Sequence, residues 1–248
     1  MLPDTETMLS VLARMQQEKE SRVFCNIPAI CQGDWSSSTP GSLPERSYFS
    51  PKEALMNMEY DKLKILAAFD LETTGLDPVV HDIIEIAIVP LNSDFTRAEL
   101  PEFTARVKAI HPENADPESL QINGLNPFEG DDIEKVAVDI ATWLSNNNIG
   151  RIDPVGHNLR FDLDFFQTKF PQLSNIFFCY MRDSMQLAVA INDISLIQTK
   201  EKVFPSVSLR NLKRQFGMDM PVQHRAIADA LDAAELYRRL MTKLIINE

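Results

Sequence analysis

Cysteine is scarce in this chain, and long hydrophobic runs and an excess of positive charge are missing. Three cysteines, Cys25, Cys31 and Cys179, cannot build a disulfide framework, and an odd count of thiols suits a reducing, cytoplasmic setting. Cys25 and Cys31 have no Cys or His neighbours at zinc-ligand spacing, so no structural zinc is expected there. No apolar stretch approaches the roughly 18 residues that a membrane span needs. The acidic opening MLPDTETML lacks a basic region ahead of an apolar one, which argues against a secretory leader. The net charge of −12 argues against a protein that coats nucleic acid through its overall field. It leaves room for an enzyme that acts on nucleic acid with carboxylates at its centre and a local basic patch for the backbone.

What is present is an ordinary globular composition, 44% hydrophobic and 24% charged over 248 residues, enough for one large domain with a short extension. Residues 1–60 stand apart. Met8, Val11, Leu12 and Met15 have amphipathic-helix spacing, and a Pro-, Gly- and Ser-rich stretch follows, which is linker chemistry. A helix that short is unstable alone in water, so the expectation is an arm that docks a protein partner or mediates self-association. Residues 61–248 are expected to form the catalytic domain.

Within that domain LKILAAFDL, IIEIAIVP and EFTARVKAI read as three consecutive strands of an antiparallel meander, with Phe103, Ala105, Val107 and Ala109 on one side of the third. Asp131 to Asn147 has a helical stripe, DPVGHN reads as a short strand, LRFDLDFFQTKF as a helix stopped at Pro171, and NIFFCYM as a buried strand. Helices are expected over Ser184–Asp193, Ser208–Phe216 and Arg225–Leu244. Strands followed by alternating helix and strand give an α/β fold with a mixed sheet.

Three segments carry candidate chemistry. In ILAAFDLETTGL, Asp70 and Glu72 lie two apart at the end of a strand and so share a face, while Leu71 enters the core. Adjacent carboxylates repel unless a cation sits between them, and hard divalent metals are the natural partners. Acid-x-acid pairs recur by chance in a chain with 36 acids, so the signal lies in the position after an apolar strand. In VGHNLRFDLDFF, Asp162 falls in the first turn of a helix and faces the strand ends, while Asp164 is rotated about 200° away. His157 and Asn158 read as structural hydrogen-bonding residues. In HRAIADALDAAEL, Ala226, Ala230, Ala233 and Ala234 let a helix lie close to a sheet. His224, placed just before that helix, can swing over a metal held by Asp229 and serve as a base near neutral pH.

Together, FDLETTGL, GHNLRFD and HRAIADA resemble the motifs of the DEDD superfamily of 3′–5′ exonucleases in its histidine-containing branch, over roughly residues 62–244. The resemblance implies a ribonuclease H-like mixed five-stranded sheet flanked by helices. It further implies that Asp70, Glu72, Asp162 and Asp229 bind two Mg²⁺ or Mn²⁺ ions, with His224 as general base. Leu76 resembles the family leucine that wedges against the terminal base, Phe161 an aromatic of the nucleotide pocket, and Thr73 the residue that holds the terminal 3′-OH. The expected partner is a nucleic acid with a free 3′ end, single-stranded DNA ahead of RNA; a 3′→5′ exoribonuclease and an inactive nuclease-like binding module are the alternatives. Relatives often carry histidine before the glycine at Asn123-Gly124, which puts one secondary substrate contact in doubt. Lys200, Lys202, Arg210, Lys213, Arg214 and Arg160 are the candidate contacts to the phosphate backbone.

Overall fold

The computed structural model describes residues 63–219 and 225–245. The expectations for residues 1–60, including the arm and its boundary, lie outside the described residues, and so does His224.

Five strands make one sheet in the order β3-β2-β1-β4-β5. They are β1 (Leu63–Thr73), β2 (Ile83–Leu91), β3 (Phe103–Arg106), β4 (Ile149–Gly156) and β5 (Arg182–Asp183). β1 to β3 form the antiparallel meander read from the sequence. β4 joins the other edge of β1 in parallel, and β5 joins β4 in parallel. The described residues also form α1 (Pro117–Asn123), α2 (Ile133–Asn146), α3 (Leu159–Lys169), α4 (Ser184–Thr199), α5 (Leu209–Gln215) and α6 (Ala226–Ile245). This is the ribonuclease H-like arrangement: a mixed sheet with helices on both faces.

The alternation of β1 separates two cores. Ile65, Ala67, Phe69 and Leu71 point to one face and bury against Val136, Ile140 and Leu144 of α2 and Leu163, Phe165 and Phe166 of α3. Phe69 meets Phe166 edge-on at 5.8 Å between ring centroids, the arrangement that ring quadrupoles favour. On the opposite face Ala68, Val89 and Val155 meet Ala230 and Ala234 of α6. Every one of these is small or β-branched, so α6 comes close to the sheet, and Ala226, Ala230 and Ala233 are fully buried.

Two expected strands differ from the sequence reading. NIFFCYM is not a strand. Only Ile176 and Phe178 bond to β4, both through Ile152, and the chain then turns outward, leaving Tyr180 and Met181 exposed. The fifth strand is the short pair Arg182–Asp183 that follows. β3 is also shorter than its alternation suggests: Val107 and Ala109 are buried as expected, but beyond Arg106 the chain bonds to the Pro127–Asp131 loop rather than to β2 alone. An apolar period reports burial, and burial does not require a strand partner.

Candidate active site

The site lies where β1 runs on past the end of β4. Pairing between the two strands reaches Ala68↔Val155, and β1 then continues with Asp70, Leu71 and Glu72 beside α3 and α6. The turn from β4 into α3 is tightly made. A Cβ on Gly156 would stand 2.6 Å from Leu159 Cδ2 and 2.9 Å from the Phe69 carbonyl oxygen, so only glycine lets α3 start this close to β1. Asn158 adopts a left-handed conformation, φ 61°, which asparagine tolerates better than most residues. The Asp183 carboxylate accepts the N–H groups of Asn158 and Leu159, each at 3.0 Å, and also caps α4. His157 Nδ1 lies 2.9 Å from Ser184 Oγ. His157 is thus engaged by a side-chain hydrogen bond, as the sequence predicts, whereas Asn158 is engaged through its backbone N–H.

That turn delivers Asp162. Its Oδ1 accepts the Leu71 N–H at 3.1 Å, which ties α3 to β1 between Asp70 and Glu72. Asp162 is 4% exposed, whereas Asp164 projects outward beside Arg160 at 3.7 Å. From the other side α6 brings in Asp229, 5% exposed. One carboxylate oxygen from each of Asp70, Glu72 and Asp229 lies within 4.8 Å of the others. Asp162 adjoins this trio through its bond to Leu71, the residue between Asp70 and Glu72.

Buried like charges show in the protonation of the group. Burial, then the carboxylates of Asp162, Glu72, Asp229 and Glu85, hold Asp70 well above the ordinary carboxylate range. Burial, followed by Asp229 and Glu85, pushes Glu72 up to about 8, against an opposing pull from Arg225. Asp162 is also raised, by burial above all, although the Leu71 N–H counteracts it. Acids that resist ionisation at neutral pH, with oxygens converging on one point, suit a hard divalent cation.

A stability measurement follows from these shifts. In EDTA, Glu72 stays protonated in the folded protein from about pH 4.5 to about 8, while the unfolded chain ionises. Below that window both states are protonated and stability is full; as pH rises through it the unfolded state is favoured, by up to about 1.4 kcal/mol per pH unit. Tm should therefore fall more steeply from pH 5 to 8 in the wild type than in Glu72→Gln, and Mn²⁺ should restore it most at pH 8. Equal slopes for the two proteins would contradict the assignment.

The structure also places the remaining residues predicted from the sequence. Leu76 stands 77% exposed on the loop after β1, free to meet a ligand. Thr73 is buried; its hydroxyl donates to the Gly75 carbonyl at 2.7 Å. Asn123, in place of the family histidine, donates from Nδ2 to the Thr73 carbonyl at 3.1 Å and accepts the Leu125 N–H. It therefore braces the Thr73 loop. Phe161 is half-buried, its ring 4.9 Å from that of Phe165. Of the basic residues, Lys200, Lys202, Arg210 and Arg214 are exposed, but Lys213 is not available to a ligand: it is buried and paired with Asp232.

Sequence reasoning missed Glu85. It is the third residue of β2, directly across the ladder from Glu72, and binds Arg225. Within IIEIAIVP it reads as one polar residue in a buried strand, and its partner is 140 residues away.

A mixed sheet in this order, with carboxylates from three elements gathered at the end of its central strand, defines a nuclease of the ribonuclease H-like class. The family model for the exonuclease domain, ribonuclease T type, matches residues 67–237. The chain belongs to this exonuclease family, within the DEDD 3′–5′ exonucleases. The PolC-type DNA polymerase III of Oceanobacillus iheyensis is 24% identical over 180 residues, covering 73% of this chain and 12% of the relative. That of Listeria innocua is 26% identical over 176 residues, covering 70% and 11%. Among solved structures, E. coli exonuclease I with a dT13 oligonucleotide superposes with a TM-score of 0.57 at 18% identity, over 74% of this chain and 42% of that one. The chain thus spans about a tenth of the length of those curated relatives.

Proposed function

We propose that this chain removes single nucleotides, as 5′-monophosphates, from the 3′ end of single-stranded DNA, using two Mg²⁺ or Mn²⁺ ions. The observation that carries the reading is the convergence of Asp70, Glu72 and Asp229 oxygens within 4.8 Å, with Asp162 locked beside them. Divalent ions held by these carboxylates supply charge stabilisation for phosphodiester hydrolysis. His224, two residues ahead of α6, takes the proton of the attacking water. Leu76 and Phe161 meet the terminal nucleoside, and the exposed members of the basic stretch accompany the phosphate backbone. DNA is favoured over RNA because the related sequences are DNA polymerases and the related structure was solved with an oligodeoxynucleotide.

The test uses 5′-labelled DNA and RNA oligomers of matched sequence, single- and double-stranded, in Mg²⁺. Stepwise shortening of single-stranded DNA, ahead of the other three substrates, is the expected result. Faster shortening of RNA would assign an exoribonuclease, and no shortening of any substrate, with Mn²⁺ also tried, would leave a binding module.

A further inference from the structure

Glu85 faces a physical problem that its own strand cannot solve. Every residue of β2 is buried, and a lone carboxylate there costs several kcal/mol unless it is paired and hydrogen-bonded. The partners come from the start of α6. Arg225 Nε donates to both Glu85 oxygens at 3.1 Å, and its Nη2 donates to Oε1 at 2.5 Å. The Ala226 N–H, one of the first-turn donors that a helix leaves without an internal acceptor, donates to Oε2 at 2.9 Å. Both carboxylate oxygens are thereby occupied, and neither belongs to the converging Asp70, Glu72 and Asp229 trio.

The post on which α6 is hooked is rigid. β2 is hydrogen-bonded to β1 on one side and β3 on the other, so Glu85 has no freedom to follow a moving helix. Asp229 is one turn on, its N–H bonded to the Arg225 carbonyl at 3.0 Å, and His224 immediately precedes Arg225 in the chain. Fixing Arg225 and Ala226 therefore fixes the axial position and rotation of the helix segment that carries Asp229, and the point from which His224 departs. We infer that Glu85 and Arg225 are a positioning pair: they hold the beginning of α6 in register with the carboxylates of β1, without being metal ligands or substrate contacts themselves. The inference rests on the proposed hydrolysis of a 3′ end.

The test is a double-mutant cycle of Glu85→Gln, Arg225→Gln and the double variant, with Arg225→Lys as a fourth protein. Each is assayed for kcat and KM on a short single-stranded oligodeoxynucleotide and for Mn²⁺ stoichiometry by calorimetry. Misplacing the helix start should lower kcat about 10- to 100-fold in each single variant, with KM and the number of bound Mn²⁺ ions unchanged. The double variant should be no slower than the worse single one, because the two act as a unit. Arg225→Lys should also be slow, since an ammonium keeps the charge but loses the two-pronged geometry. A wild-type rate for Arg225→Lys would overturn positioning in favour of charge balance. So would a KM increase confined to the Arg225 variants, which marks a phosphate contact, or the loss of one Mn²⁺ in Glu85→Gln but not in Arg225→Gln, which marks Glu85 as a ligand. Multiplicative losses in the double variant also count against the pair. An inactive wild type that still binds Mn²⁺ would instead refute the proposed function.

Discussion

Asp70→Asn should abolish hydrolysis, by about a thousandfold or more, and at the same time make the metal-free protein more stable. The two effects have one cause. Asp70 is held well above the ordinary carboxylate range by burial and by four neighbouring acids, so the apo fold keeps it protonated while the unfolded chain ionises, and an asparagine, neutral in both states, removes that cost of folding. The carboxylate charge is what a cation needs, and losing a metal ligand removes several kcal/mol of transition-state stabilisation, each ~1.4 kcal/mol being tenfold in rate. The check is the single-turnover rate in Mg²⁺ beside Tm in EDTA at pH 8. An active Asp70→Asn enzyme, or one less stable than wild type in EDTA, would show that the carboxylate serves the fold and not a metal. The neighbouring pair sharpens the point: Asp162→Ala should be nearly dead, while Asp164→Ala, which loses only an exposed ion pair with Arg160, should hydrolyse at close to the wild-type rate.

His224→Ala should lower kcat by about 10²–10⁴ while KM and Mn²⁺ binding are retained. His224 stands two residues before Ala226, the first residue of α6, and Asp229 lies in that helix's first turn. A base must be unprotonated to accept a proton, so the wild-type rate should fall as pH drops through the histidine pKa, and the variant should lose that limb. A flat profile between pH 5.5 and 8, the same in both proteins, would remove His224 from the mechanism. The Glu85 and Arg225 variants should keep the limb, because they leave the base itself intact.

The legible parts of the site were those set by short periods. Two-residue alternation put Asp70 and Glu72 on one face of β1, and the helical period separated Asp162 from Asp164, which the structure shows buried and exposed respectively. The alanines at 226, 230, 233 and 234 announced a helix that comes close to the sheet, and all four are buried. Less legible were features whose meaning depends on a distant partner. Lys213 reads as one more cation in a basic stretch, yet Asp232 of α6 draws it into the interior. Asn123 reads as a missing histidine, yet its carboxamide is taken up by Thr73 and Leu125.

By itself the sequence determined the α/β class of fold, the antiparallel start of the sheet and the shared face of Asp70 and Glu72, because side-chain period and backbone preference are properties of a few consecutive residues; Asp162 and Asp229 joined them only through the resemblance of the three motifs to a known family. Only the tertiary structure decided that NIFFCYM yields to a two-residue strand, that β3 stops at Arg106, and that Glu85 anchors Arg225. Those outcomes depend on which hydrogen-bond and charge partners arrive from elsewhere in the chain. A buried carboxylate such as Glu85 is tolerable only once its guanidinium partner, 140 residues later, has been folded against it.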